Sequence, residues 1–288
     1  MPNIKTRQGI NIHYKIYNKN EHHETILLLG GLSRDNTIWR KLVSALSENY
    51  QVIVIDNRDA GQSSNKDLEQ YDIQALSQDI IELIEQLKIE NFHLAGHSMG
   101  GFMAIYIAAA LQDKVASLIL CSTTDKQPAA GKKYLTTRIT SMKASASEEA
   151  SSASEADIRA AIPMLYAKEN QQKALIDEIV AFETANKYPQ SAMSFIRQAQ
   201  ACIDFDASEI VNKIISPALV VTGEEDPYYT PAVAEALAKK LPAGTKVAII
   251  PSAAHMIQIE QPQAVGEKIV EFTQGLKLKP TTSPGSKK

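Results

Sequence analysis

Short, mostly apolar runs punctuate the first part of the chain: Thr25–Leu29, Val52–Ile55, Asn91–Ala95 and Val115–Cys121. A strand that is apolar on both faces belongs inside a sheet covered on both sides, as parallel strands are. Between the second and third runs, Ile73, Leu76, Ile80, Leu83, Ile84 and Leu87 recur at steps of three and four, which predicts an amphipathic helix. Trp39–Leu46 carries a shorter helical pattern, and Phe102–Leu111 a nearly uniform apolar one. Strands alternating with helices argue for an α/β layered fold. The N-terminal pieces differ. Asn3–Thr6 and Ile10–Tyr17 flank Gln8–Gly9, and Ile10, Ile12, Tyr14 and Ile16 alternate with polar residues. That alternation predicts an antiparallel pair with one wet face, on which His13 falls.

The rhythm stops after Thr124. Residues 125–212 contain helical stripes (Leu175, Ile179, Phe182; Met193, Ile196, Ala199) and no strand pattern. Within them Ala144–Ala156 is almost wholly Ala, Ser and Glu, either a helix surface or a linker, and is read here as partly mobile. Alternation resumes with Ala218–Gly223, a helix from Pro231 to Lys240, the strand Lys246–Ile250 and a last helix from Pro262 to Gln274. The expected division is a core of residues 1–124 and 213–276, a helical insertion of 125–212, and a disordered tail of 277–288 rich in Lys, Pro, Thr and Ser.

Composition narrows the class without choosing the activity. With 288 residues, 44% hydrophobic and 22% charged, the chain is long enough for one large α/β domain. A formal charge of −3 gives no electrostatic reason to expect nucleic acid or an anionic membrane as partner. Cys121 and Cys202 both fall in apolar runs and are expected as buried thiols, and no Cys/His spacing suggests a metal. Residues 1–10 lack the apolar core of a secretory signal and no run approaches eighteen apolar residues, so the expected compartment is the cytoplasm.

The candidate chemistry begins at Gly96–His97–Ser98–Met99–Gly100–Gly101. Gly-x-Ser-x-Gly occurs by chance in loops, but here a strand pattern precedes it and a helix pattern follows. That context predicts a tight turn with Ser98 at its tip, its backbone strained toward positive φ. Gly96 and Gly100 would avoid a collision across the bend, Gly101 would let the helix approach the strand, and the Met99 N–H would face a developing oxyanion. A serine hydroxyl needs a base, and the base an orienting acid. Of six histidines, His255 alone follows an apolar strand in a loop of small residues, Pro251–Ser252–Ala253–Ala254; His22 and His23 lie in a polar turn, and His93 and His97 sit too near Ser98 in the chain to fold back onto it. Asp226, directly after the Ala218–Gly223 strand, is the preferred acid; Asp125 is its rival. Carboxyl ends of parallel strands meet at one crevice, which lets Ser98, Asp226 and His255 converge.

The order Ser98…Asp226…His255, with Leu29–Gly30–Gly31–Leu32, Asp56–Asn57–Arg58–Asp59–Ala60–Gly61–Gln62–Ser63, Gly223–Glu224–Glu225–Asp226–Pro227 and Glu260–Gln261–Pro262, resembles the α/β-hydrolase fold superfamily, especially its small esterase, lactonase, haloperoxidase-like and methylesterase members. The resemblance spans Ile4 to Gln274. It implies an eight-stranded, mostly parallel sheet flanked by helices, with a helical lid inserted after strand 6. It also implies an oxyanion hole from the N–H groups of Leu32 and Met99, although many relatives have His-Gly where this chain has Gly30–Gly31. Arg58 matches a loop-bracing arginine. Gly31, Ser33 and Trp39 are candidates for the substrate pocket, with a solvated turn for Ser33 and a core position for Trp39 as the alternatives.

The expectation is a serine hydrolase cleaving a small, fairly apolar carboxylic ester through an acyl-enzyme, with no metal or organic cofactor and as a monomer or homodimer. Lactone opening, thioester or carbon–carbon hydrolysis and cofactor-free perhydrolysis would use the same triad. A haloalkane dehalogenase is disfavoured, since its nucleophile is Asp. A small-molecule receptor with a slow triad is the alternative from another class.

Overall fold

The structure is a computed structural model that describes residues 2–20, 23–63, 69–145 and 154–276. Eight strands form one sheet: β1 (Asn3–Lys5), β2 (Asn11–Tyr17), β3 (Glu24–Leu29), β4 (Tyr50–Ile55), β5 (Phe92–His97), β6 (Val115–Cys121), β7 (Ala218–Gly223) and β8 (Lys246–Ile250). Their spatial order is β1-β2-β4-β3-β5-β6-β7-β8. The pairs β1–β2 and β2–β4 are antiparallel and all others parallel.

Successive residues of the inner strands enter two different cores, which is why those strands read as apolar throughout. Leu27, Leu29, Ile53, Ile55, Leu94, Leu118 and Leu120 pack under α2 (Ile73–Gln86) and α3 (Met99–Ala110). Ile26, Leu28, Val52, Val54, Ile119 and Val221 face α1 (Arg40–Leu46), which follows a 3-10 turn at Asn36–Trp39. The helix α2 starts where Asp72 accepts the Ala75 N–H at 2.8 Å, a cap worth about 1 kcal/mol. Its stripe Ile73, Leu76, Ile80, Leu83 and Ile84 is buried, each side chain contributing roughly 1.5–3 kcal/mol.

Between β6 and β7 lies the helical insertion: α4 (Ala129–Ser145), α5 (Glu155–Leu165), α6 (Lys173–Thr184) and α7 (Ala192–Ile203). An isolated bridge between Lys126 and Asp206 joins its two ends. Helices α8 (Pro231–Ala238), α9 (Ile257–Glu260) and α10 (Pro262–Gln274) complete the chain. Residues 146–153, the centre of the Ala/Ser/Glu tract, and the tail 277–288 lie outside the described residues. Among the described residues no helix is long and apolar enough to cross a membrane. Cys121 and Cys202 are buried free thiols.

One local expectation is corrected. His13 is not on a wet face: it is fully buried, with Nδ1 2.8 Å from Asp56 Oδ2. The loop that follows β4 folds over that side of β2. Ser63 Oγ accepts the His13 N–H at 2.8 Å and donates to the Asp56 carbonyl at 2.6 Å. Asp56 Oδ1 meanwhile accepts the Asn36 N–H at 2.6 Å, so a chain-local alternation was overridden by a tertiary loop.

Candidate active site

Strand β5 ends at the tip of the predicted turn. Ser98 has φ 54° and ψ −119°, a conformation that costs a non-glycine residue about 1–3 kcal/mol. Its surroundings hold it there: Ser98 N–H donates to the Cys121 carbonyl at 2.9 Å, and the Ser98 carbonyl accepts from Gly101 N–H and Thr123 Oγ1, both at 2.9 Å. A Cβ on Gly96 would lie 2.2 Å from the Gly100 carbonyl oxygen, and one on Gly100 2.1 Å from that of Leu29. Helix α3 begins at Met99, whose N–H is among the first-turn donors that have no partner within the helix.

The loop after β3 closes against this turn. A Cβ on Gly31 would sit 3.1 Å from both His97 Nδ1 and Ser98 Cβ. Asn57 Nδ2 donates to the Gly30 carbonyl at 2.9 Å, and Ser33 N–H to Gln198 Oε1 of α7 at 3.1 Å, bracketing Leu32.

At the end of β7, Asp226 is buried and its Oδ1 accepts the N–H groups of Tyr228 and Tyr229, each at 2.9 Å. Its Oδ2 lies 3.0 Å from His255 Nδ1. A carboxylate accepts, so Nδ1 carries a proton, and in the neutral ring Nε2 presents a lone pair. Burial pushes the Asp226 carboxyl up, but His255 and the two tyrosine N–H groups outweigh it and hold the group below the usual range. The loop bearing His255 is tied to the insertion: the His255 and Met256 N–H groups donate to the Leu165 carbonyl at 3.0 and 3.1 Å. Glu260 accepts Ala254 N–H at 2.9 Å with one oxygen and Ala167 N–H at 2.7 Å with the other.

A cavity of about 180 Å³ opens between the sheet and the insertion, and Ser98, His255, Gly31, Leu32 and Ser33 all line it. Tyr229, an electrostatic neighbour of Ser98, donates its hydroxyl to Gln127 Oε1 at 2.9 Å. Among the described residues no hydrogen bond joins the Ser98 hydroxyl to His255, although both side chains line the cavity. Such looseness is common before substrate arrives. Trp39 is brought elsewhere: fully buried, it stands behind the cavity wall with its ring 6.4 Å from that of His97. Asp125 pairs with Lys240 at 2.6 Å rather than with any histidine. Arg58 holds Asp79 through Nε at 2.8 Å and Nη2 at 2.7 Å, the bracing role its motif implied. His93 hydrogen-bonds Ser117 at 2.8 Å within the sheet.

Among the cavity residues that had not been singled out are Tyr228, Tyr229, Tyr134, Arg138 and Glu183. For Tyr228 and Tyr229 the available signal was their place immediately after Asp226–Pro227, which the strand end carries to the crevice.

The description "alpha/beta hydrolase fold" belongs to the family profile that matches residues 24–262, and the chain belongs to that family. A relative from Agrobacterium fabrum, named "Putative carbamate hydrolase RutD", is 23% identical over 262 residues, which are 91% of this chain and 97% of the relative. The enol-lactonase from Burkholderia xenovorans LB400 superposes with a TM-score of 0.81 at 24% identity, over 95% of this chain and 100% of its own. A thermophilic esterase from Thermogutta terrifontis gives 0.78 at 23%, over 95% and 98%.

Proposed function

We propose that the protein is a serine hydrolase acting on a small carboxylic ester or lactone. Ser98 attacks the carbonyl carbon while His255 Nε2 takes its proton, and Asp226 steadies the imidazolium that results. The N–H groups of Leu32 and Met99 hold the oxyanion; losing one such donor typically costs about 10²–10³-fold in rate. The leaving group departs with the proton from His255, and water releases the acyl-enzyme. Residues 125–212 serve as the lid that shapes the cavity. The observation carrying this reading is that Ser98, strained at its turn, shares one cavity wall with a histidine whose Nδ1 is 3.0 Å from Asp226. The names of the relatives, an enol-lactonase and an esterase among them, favour cleavage next to a carbonyl.

The test is turnover of p-nitrophenyl acetate together with labelling by a fluorophosphonate. Both are expected in the unaltered protein, and both vanish in Ser98→Ala. Binding of small esters without turnover or labelling would instead make the protein a receptor.

A further inference from the structure

Four charged side chains on the cavity wall form two ion pairs, Arg34 with Glu183 and Arg138 with Asp157. The pairs differ in what they have left to give. Asp157 is also occupied by the start of α5, accepting Ser154 N–H at 3.0 Å and Ser154 Oγ at 2.6 Å. Arg34 is underused. Its guanidinium carries five N–H donors, and among the described residues its side chain makes one hydrogen bond, from Nη1 to Glu183. It follows Leu32 by two residues, so it flanks the loop assigned above to the acyl oxygen. The Tyr228 hydroxyl, on the same cavity, is buried with no hydrogen-bond partner. Tyr134 links the two: its ring is 5.4 Å from that of Tyr228, and it is an electrostatic neighbour of Arg34.

Unused donors of a guanidinium and an unpaired phenol on one small cavity call for an acceptor-rich ligand group, because leaving them unmet when substrate displaces water is costly. The planar fork matches a carboxylate best. We propose that the substrate carries a carboxylate on its acyl chain, bound by the free face of Arg34 with Tyr228 Oη as a second donor. This rests on the serine-hydrolase reading and departs from the expectation of a fairly apolar ester. Glu183 then acts as a built-in competitor that shares the guanidinium and restrains its affinity for the substrate carboxylate.

The experiment compares two esters of equal length, mono-p-nitrophenyl glutarate and p-nitrophenyl valerate. The unaltered protein is expected to prefer the glutarate by about tenfold in kcat/KM, mainly through KM. Arg34→Gln brings the ratio to near one, whereas Glu183→Gln raises it. An ion pair that only fastens the insertion to the core would be broken alike by either change, so both ratios moving in the same direction overturns the proposal, as does a wild-type ratio of one or less. If Arg34→Gln does not fold, the direction of the Glu183→Gln shift decides. If neither ester is turned over, the hydrolase reading fails on its own, and calorimetric titration of glutarate into the unaltered protein decides the binding claim: saturable binding upholds it, none overturns it.

Discussion

His97 donates its Nε2–H to the main-chain carbonyl of His255 at 2.8 Å, and the two rings lie 4.8 Å apart. A carbonyl accepts only, so this bond selects the tautomer and leaves His97 Nδ1 buried without a partner. Burial first, and then the neighbouring His255, press the His97 ring down to about 3. The folded protein thus refuses a proton that the unfolded chain takes near 6.5, about the usual histidine value. Stability from this site is full above that pH and falls as pH drops toward 3, by up to about 1.4 kcal/mol per pH unit. His97→Gln keeps a donor for the carbonyl and removes the titration. Urea midpoints between pH 7 and 4.5 should therefore decline less steeply in the variant, and equal slopes would refute the assignment.

Asp226→Asn removes the charge that selects the Nδ1–H form of His255. With a serine triad the expected fall in kcat is about 10⁴-fold with little change in KM. Asp125→Asn, which breaks the half-exposed pair with Lys240, leaves kcat unchanged. Steady-state kinetics on p-nitrophenyl acetate separates the two aspartates.

Gly100→Ala should cost about 4 kcal/mol or more, because the new Cβ would lie 2.1 Å from the Leu29 carbonyl oxygen. Leu29 has no room to retreat, being paired with Ile55 on one side and Gly96 on the other. Gly244→Ala, where nothing lies within 4 Å, carries only the strain of φ +90°, about 1 kcal/mol. Urea unfolding of the two variants measures the difference.

Tyr229→Phe removes the hydroxyl that donates to Gln127 beside Ser98 on the cavity wall. A neutral hydrogen bond is worth about 1 kcal/mol, so if the phenol competes with the imidazole for the Ser98 hydroxyl, its removal should raise the rate of fluorophosphonate labelling by up to about fivefold. A slower rate would mean that the tyrosine assists attack instead of delaying it.

The layered fold was legible because each inner strand must satisfy two cores at once, and a run such as Ile26–Leu29 has few other uses. The boundaries of α10 were legible too, since Pro262 opens it where a missing N–H does no harm. The meeting of Asp226 with His255 was legible because strand ends converge. His13 was misread because alternation reports the strand and not the loop laid over it. Trp39 could not be divided between core and cavity, since periodicity says only that a side chain points inward. The pairing of Arg34 with Glu183 joins residues far apart in sequence, and nothing local to either announces the other.

The two amides that frame the imidazole of His255 hang from the carbonyl of Leu165, the final residue of α5, and not from the sheet. The backbone that carries this imidazole is therefore anchored in α5, and any substitution that displaces the last turn of that helix is felt at the end of β8 as well.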